Sequence, residues 1–103
     1  MKKYQKELDK YYKKEGWEYW PPLSILARLV EEVGEFARLV NSAHGPKKKR
    51  VDEKEQDPED EIGDILYTLI CYANSQKLDL DRSIRKSLDK VARRDNKRWS
   101  KLK

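Results

Sequence analysis

Apolar residues along this chain recur at intervals of three and four, the period of helices with one face turned inward, and no stretch alternates long enough to predict a strand. Tyr4, Leu8, Tyr11 and Tyr12 form the stripe of a first helix that Gly16 ends. The segment "WEYWPP" interrupts the pattern, and Pro22 is placed to open a second helix, because a first-turn proline forfeits no helical hydrogen bond. Ile25, Leu26, Leu29, Val33, Phe36 and Val40 give this helix a wide apolar face, and "HGP" at 44–46 stops it. The stretch at about 45–57, "GPKKKRVDEKEQD", has one apolar residue and predicts a charged loop. Asp57 and Pro58 then have the form of an N-cap and a first-turn proline. Ile62, Ile65, Leu66, Leu69, Ile70 and Ala73 carry the third helix to about Gln76, and Asp79 or Asp81 caps a fourth. The narrower stripe of that helix, Leu80, Ile84, Leu88 and Val91, is expected to be buried. Four helices with short connections, apart from the charged loop, predict an all-α, antiparallel four-helix bundle forming a single domain over residues 1–103.

A chain of 103 residues buries only a modest core when it stands alone, so self-association is expected. Charged residues make up 42% of it, yet 24 basic against 19 acidic side chains leave a net charge of only +5, which does not by itself force disorder. The charges are segregated: eight acidic residues face a single lysine between Asp52 and Asp64, and seven basic residues face a single aspartate from Lys90 to Lys103. Such blocks pair within or between subunits, or flank a site that holds metal and phosphate together. A basic C-terminal segment also suits nucleic acid, although no recognition motif accompanies it. The lone Cys71 lies in an apolar run and reads as a buried thiol in a reducing, cytoplasmic setting. The N-terminal residues contain no apolar signal core, and no stretch is long enough to span a membrane.

Two stretches nearly repeat each other: "EEVGEFARLV" from Glu31 and "EDEIGDILYTLI" from Glu59. Glu32 and Glu35 stand one turn apart on a helix, as do Glu61 and Asp64, so each motif is a two-toothed clamp at the edge of an apolar stripe. One such pair in a charge-rich chain is ordinarily a solvated face. Two pairs, each enclosing a glycine within an apolar helix, point further. Four carboxylates brought together by helix packing would repel, and a hard divalent cation is the natural neutraliser, leaving positions open for water and a substrate phosphate. Gly34 and Gly63 each cost a helix interior about 1 kcal/mol relative to alanine, which close helix approach or room for a ligand would justify.

Glu31-Glu32-x-x-Glu35 followed by Glu61-x-x-Asp64, with "PPLSILARLVEEVGEFARLVN", "EDEIGDILYTLICYANS" and the late "RRDNKRW", resembles the short, single-domain, MazG-like nucleoside triphosphate pyrophosphohydrolases over nearly the whole chain. The resemblance implies the all-α NTP pyrophosphatase fold, a homodimer or homotetramer, and Mg²⁺ (with Mn²⁺ as a substitute) used to split a nucleoside triphosphate into monophosphate and pyrophosphate. By position it makes Glu32, Glu35, Glu61 and Asp64 the metal ligands and Glu31 the leading acid of the catalytic motif. Lys90 and Arg94 would meet the phosphates. Trp17 and Trp20 lie where relatives supply aromatic contacts to the base, or else they close the end of the bundle. The related phosphoribosyl-ATP pyrophosphohydrolases share the acidic helical architecture and stand as an alternative, beside a non-enzymatic basic helical nucleic-acid-binding protein.

Overall fold

The computed structural model describes residues 1–45 and 57–102, with side chains through residue 95. Four helices follow in order: α1 Lys2–Glu15, α2 Pro22–His44, α3 Pro58–Ser75 and α4 Leu80–Leu102. The charged connection expected at 45–57, with Lys47 to Arg50, lies outside the described residues apart from its ends. Local chemistry sets the boundaries. Gly16 adopts the left-handed conformation at φ 70°, where a side chain would be strained, and returns its N–H to Lys13 while Trp17 bonds back to Tyr12. Gly45 stops α2 by a different route, in extended backbone with its N–H on the Asn41 carbonyl. Asp57 caps α3 by accepting from the Glu59 N–H at 2.9 Å, and Pro58 occupies the first turn.

Of the two caps open for α4, Asp79 takes the role, its Oδ1 accepting from the Asp81 N–H at 2.9 Å. Asp81 serves another helix. Its carboxylate receives the N-terminal ammonium at 3.1 Å and the Lys2 N–H at 3.0 Å, where the positive end of α1 favours an anion. Gln5 closes the same corner from inside: its side chain donates to Leu78 O at 2.8 Å and Asn74 Oδ1 at 3.0 Å, and accepts from the Leu80 N–H at 3.0 Å. Asn74 completes the clasp by donating to Gln5 O at 3.0 Å and the Tyr19 hydroxyl at 2.9 Å.

The principal packing is the pairing of α2 with α3, and α1 lies along α3. Glu32 facing Glu61, and Ile25 near Cys71, make α2 and α3 antiparallel. Ile25, Thr68, Ile70, Cys71 and Ala73 are buried, with Leu29, Phe36, Leu39 and Ile65 partly covered. The fourth helix departs from expectation. It packs along none of the other three among the described residues, and Ile84, Leu88 and Val91 remain 53%, 48% and 44% exposed instead of buried. The Cα radius of gyration is accordingly 18.0 Å, against about 13 Å for a compact domain of this length.

Candidate metal centre

The near-repeat of the two acidic stretches becomes a spatial relationship once α2 and α3 pair. A turn of about 100° per residue sets Glu32 in the same seam as Ile25 and Phe36, and Glu61 in the same seam as Ile65 and Thr68. Both carboxylates are buried, at 4% and 6% exposure. Glu32, Glu61 and the exposed Asp64 converge, each offering an oxygen within 4.8 Å of the others. Glu35 stands outside this trio at the exposed edge, where its charge acts on Glu61. Glu31 is exposed on the far flank and contributes its charge to the surroundings of Arg28.

Crowding of like charge is visible in the chemistry of Glu61. Burial, then the charges of Glu35, Asp64 and Glu32, raise its pKa above the ordinary carboxyl value. One cation is already present: Arg28, one turn before Glu32, donates from Nε to Glu32 Oε1 at 2.7 Å. That bond and the charge of Glu32 raise the Arg28 pKa in turn. The neutralisation is incomplete. Oε2 of Glu32 and Oε2 of Glu61 are both buried without a hydrogen-bond partner among the described residues. An unpartnered buried carboxylate oxygen is costly, and two of them in one cluster, beside a third carboxylate open to solvent, form the hard-oxygen donor set that divalent cations take.

Beside the cluster a cavity of about 250 Å³ opens, lined by Tyr12, Trp20, Ile25, Arg28, Tyr67, Thr68 and Cys71. Besides Arg28, its polar groups include the Tyr12 and Tyr67 hydroxyls, bonded to each other, and the Thr68 hydroxyl, which donates to Asp64 O at 2.9 Å. Burial above all pushes both tyrosines over their ordinary pKa, the bond between them adding to the rise at Tyr12 and opposing it at Tyr67, so both hydroxyls stay protonated. The two tryptophans paired in the sequence part company here. Trp20 lines the cavity, while Trp17 packs edge-on against Tyr11 and Tyr12 at centroid distances of 5.5 and 5.6 Å.

Lys90 and Arg94 sit one turn apart on α4, which does not pack along α2 or α3, so a single chain does not bring them to the carboxylates. The glycines correct a second expectation. Among the described residues a Cβ at Gly34 or Gly63 would meet nothing within 4 Å, so neither serves close helix packing there. Arg28 and the cavity-lining Tyr12, Tyr67 and Thr68 escaped the sequence reading. An i,i+4 Arg-Glu pair looks like ordinary surface pairing, and only tertiary packing gathers the others.

An all-α fold with a carboxylate cluster shared by two antiparallel helices has the oxygen donor set of a hard divalent cation. This chain belongs to the MazG nucleotide pyrophosphohydrolase family, whose domain model matches residues 21–99. YpjD of Bacillus subtilis (strain 168) is 43% identical over 103 residues, spanning 98% of this chain and 91% of that protein. YvdC of the same organism is 29% identical over 97 residues, with 87% and 91% covered. The crystal structure of B. subtilis YpjD matches with a TM-score of 0.77 and 40% identity, covering 88% of this chain and 91% of that one. That of the Bacillus-conserved MazG protein, a nucleotide pyrophosphohydrolase, matches with a TM-score of 0.69 and 40% identity, covering 87% and 86%. Among the described residues no helix is long and apolar enough to cross a membrane.

Proposed function

We propose that this chain is a single-domain, Mg²⁺-dependent pyrophosphohydrolase that converts a nucleoside or deoxynucleoside triphosphate to monophosphate plus pyrophosphate in nucleotide-pool housekeeping. The observation that carries the reading is the pair of buried, unpartnered oxygens on Glu32 and Glu61 facing Asp64. Glu32, Glu61 and Asp64 would hold the ion, with Glu35 joining from the exposed edge and Glu31 adding negative charge behind them. When bound, Mg²⁺, or Mn²⁺ in its place, neutralises these carboxylates, polarises a phosphoryl oxygen and acidifies water. The side chains do the rest. Trp20, Tyr12 and Tyr67 wall the cavity beside the cluster and receive the base by stacking, which any base can satisfy. Trp17 supports Tyr12 from behind. In the cytoplasm, the setting this reading implies, Cys71 remains a thiol on the same wall.

The working form is a homo-oligomer, dimer or tetramer. Helical geometry puts Leu26, Val33 and Val40 of α2, and Ile62, Leu66 and Leu69 of α3, on the side of the hairpin opposite Arg28, Glu35, Asp64 and Cys71. All six apolar residues are exposed in one chain, as are Ile84, Leu88 and Val91 of α4. A second copy covers them, and the basic α4 then meets the acidic surface of its partner, where Lys90 and Arg94 neutralise substrate phosphates. The test is a hydrolysis panel of standard and damaged nucleotides, plus phosphoribosyl-ATP, with Mg²⁺ and separate detection of pyrophosphate and phosphate. Pyrophosphate release from a nucleoside triphosphate is expected; no release from any member of the panel overturns the reading.

A further inference from the structure

Arg28 belongs neither to the paired carboxylates nor to the aromatic wall, yet it reaches both. Its Nε donates to Glu32 Oε1 at 2.7 Å, and its side chain lines the cavity beside Trp20 and Tyr67. The side chain is 50% exposed whereas that of Glu32 is 6% exposed. The carboxylate is therefore enclosed in the seam, whereas the guanidinium has open solvent on one side. In the protein without a divalent ion, Arg28 is the nearest compensation for the buried charge of Glu32. An ion held by Glu32 draws on the same carboxylate and repels the guanidinium, so the two cations compete for one anion. A displaced guanidinium needs another anion in reach. A nucleotide lying with its base in the cavity and its phosphates at the carboxylate cluster supplies one at that junction, and the planar fork of arginine suits phosphate oxygens.

We propose that Arg28 is a two-position cation: it holds Glu32 in the metal-free protein and transfers to the phosphoryl group nearest the sugar when a divalent ion takes Glu32. This rests on the metal-dependent reading of the site. It makes Arg28 a substrate-binding residue whose second duty is to keep the empty cluster from repelling itself apart. Its removal then acts in opposite directions on ion and nucleotide, which loss of a merely structural ion pair would not do.

The experiment is calorimetric titration of the full chain with Mn²⁺ alone, followed by steady-state kinetics, for wild type, Arg28→Gln and Arg28→Lys, with helicity checked by circular dichroism. Arg28→Gln is expected to bind Mn²⁺ about 3- to 10-fold tighter, the scale of one partly exposed charge-assisted contact. Its KM for nucleotide is expected to rise on the order of 10-fold. Arg28→Lys keeps the charge without the fork, so it should hold Mn²⁺ like wild type and share most of the KM increase. Unchanged or weaker Mn²⁺ binding by Arg28→Gln, or an unchanged KM, overturns the inference while leaving the metal site standing. Wild-type protein that binds no Mn²⁺ overturns the metal site and the inference together.

Discussion

The corner that joins α1 to the start of α4 and the seam between α2 and α3 are both polar and partly buried, yet they are built on opposite terms. At the corner, the Gln5 amide and the Asn74 side chain meet four protein partners between them, and Asp81 receives the N-terminal ammonium and a backbone N–H. In the seam, Glu32 and Glu61 each leave one buried oxygen without a partner among the described residues. A polar network that is complete holds elements together, and one left incomplete within a packed seam marks the place where something else binds. The contrast separates a structural corner from a candidate site without reference to any relative.

The largest effect that can sharpen this comparison is on turnover. Glu61→Gln and Asp64→Asn should each lower pyrophosphate release by at least about 100-fold with circular dichroism unchanged; wild-type rates in both would remove these residues from the ion site. The corner should respond in stability instead. Asn74→Ala removes three hydrogen bonds of the corner, from the Gln5 amide and to Gln5 O and the Tyr19 hydroxyl, and is expected to cost about 1–3 kcal/mol in chemical denaturation, with activity per folded molecule retained. Third, Mn²⁺ should raise the melting temperature of wild-type protein and leave that of Glu61→Gln where it was, since an ion stabilises only the state that binds it.

The two regions should also answer acid with opposite sign. The pKa of Glu61 is raised in the fold by burial and its acidic neighbours, so its ionised form costs stability at neutral pH, and the cost fades as pH falls through that raised value. The pKa of Asp81 is lowered by its hydrogen bond to the N-terminal ammonium and then by that from the Lys2 N–H, so its contribution is present above the ordinary carboxyl range and is lost as pH falls through the lowered value. Without metal, Glu61→Gln should therefore be more stable than wild type near neutrality, with an advantage that fades as pH falls through the raised pKa of Glu61. The smallest effect expected is at the glycines. Gly34→Ala and Gly63→Ala should each stabilise the chain by up to about 1 kcal/mol, because a Cβ meets no neighbour there. Loss of assembly or activity in a stabilised variant would put a second copy or the substrate against that position.

Much of this was legible in the residues because the signals were local. The period of apolar positions set the four helices, and Gly16, Asp57 and Pro58 set boundaries by their own backbone chemistry. The spacing within Glu32-x-x-Glu35 and Glu61-x-x-Asp64 fixed which carboxylates share a helix edge, and the pairing of α2 with α3 brought Glu32, Glu61 and Asp64 together. Long-range partnerships were not legible. Gln5 with Asn74, Asp81 with the N-terminus, and Tyr12 with Tyr67 join residues 55 to 80 positions apart. Periodicity also tells which stripe of α4 is apolar but not which molecule covers it. That is why Ile84, Leu88 and Val91 read as core and stand half in water.

Cover of that apolar stripe by a second copy, as proposed above, would make the durability of this protein a matter of how much of it is present. A helix covered in that way is stabilised by encounter, so the melting midpoint should climb with protein concentration. Refolding should then include a bimolecular phase that shortens as the solution is concentrated and dominates when it is dilute.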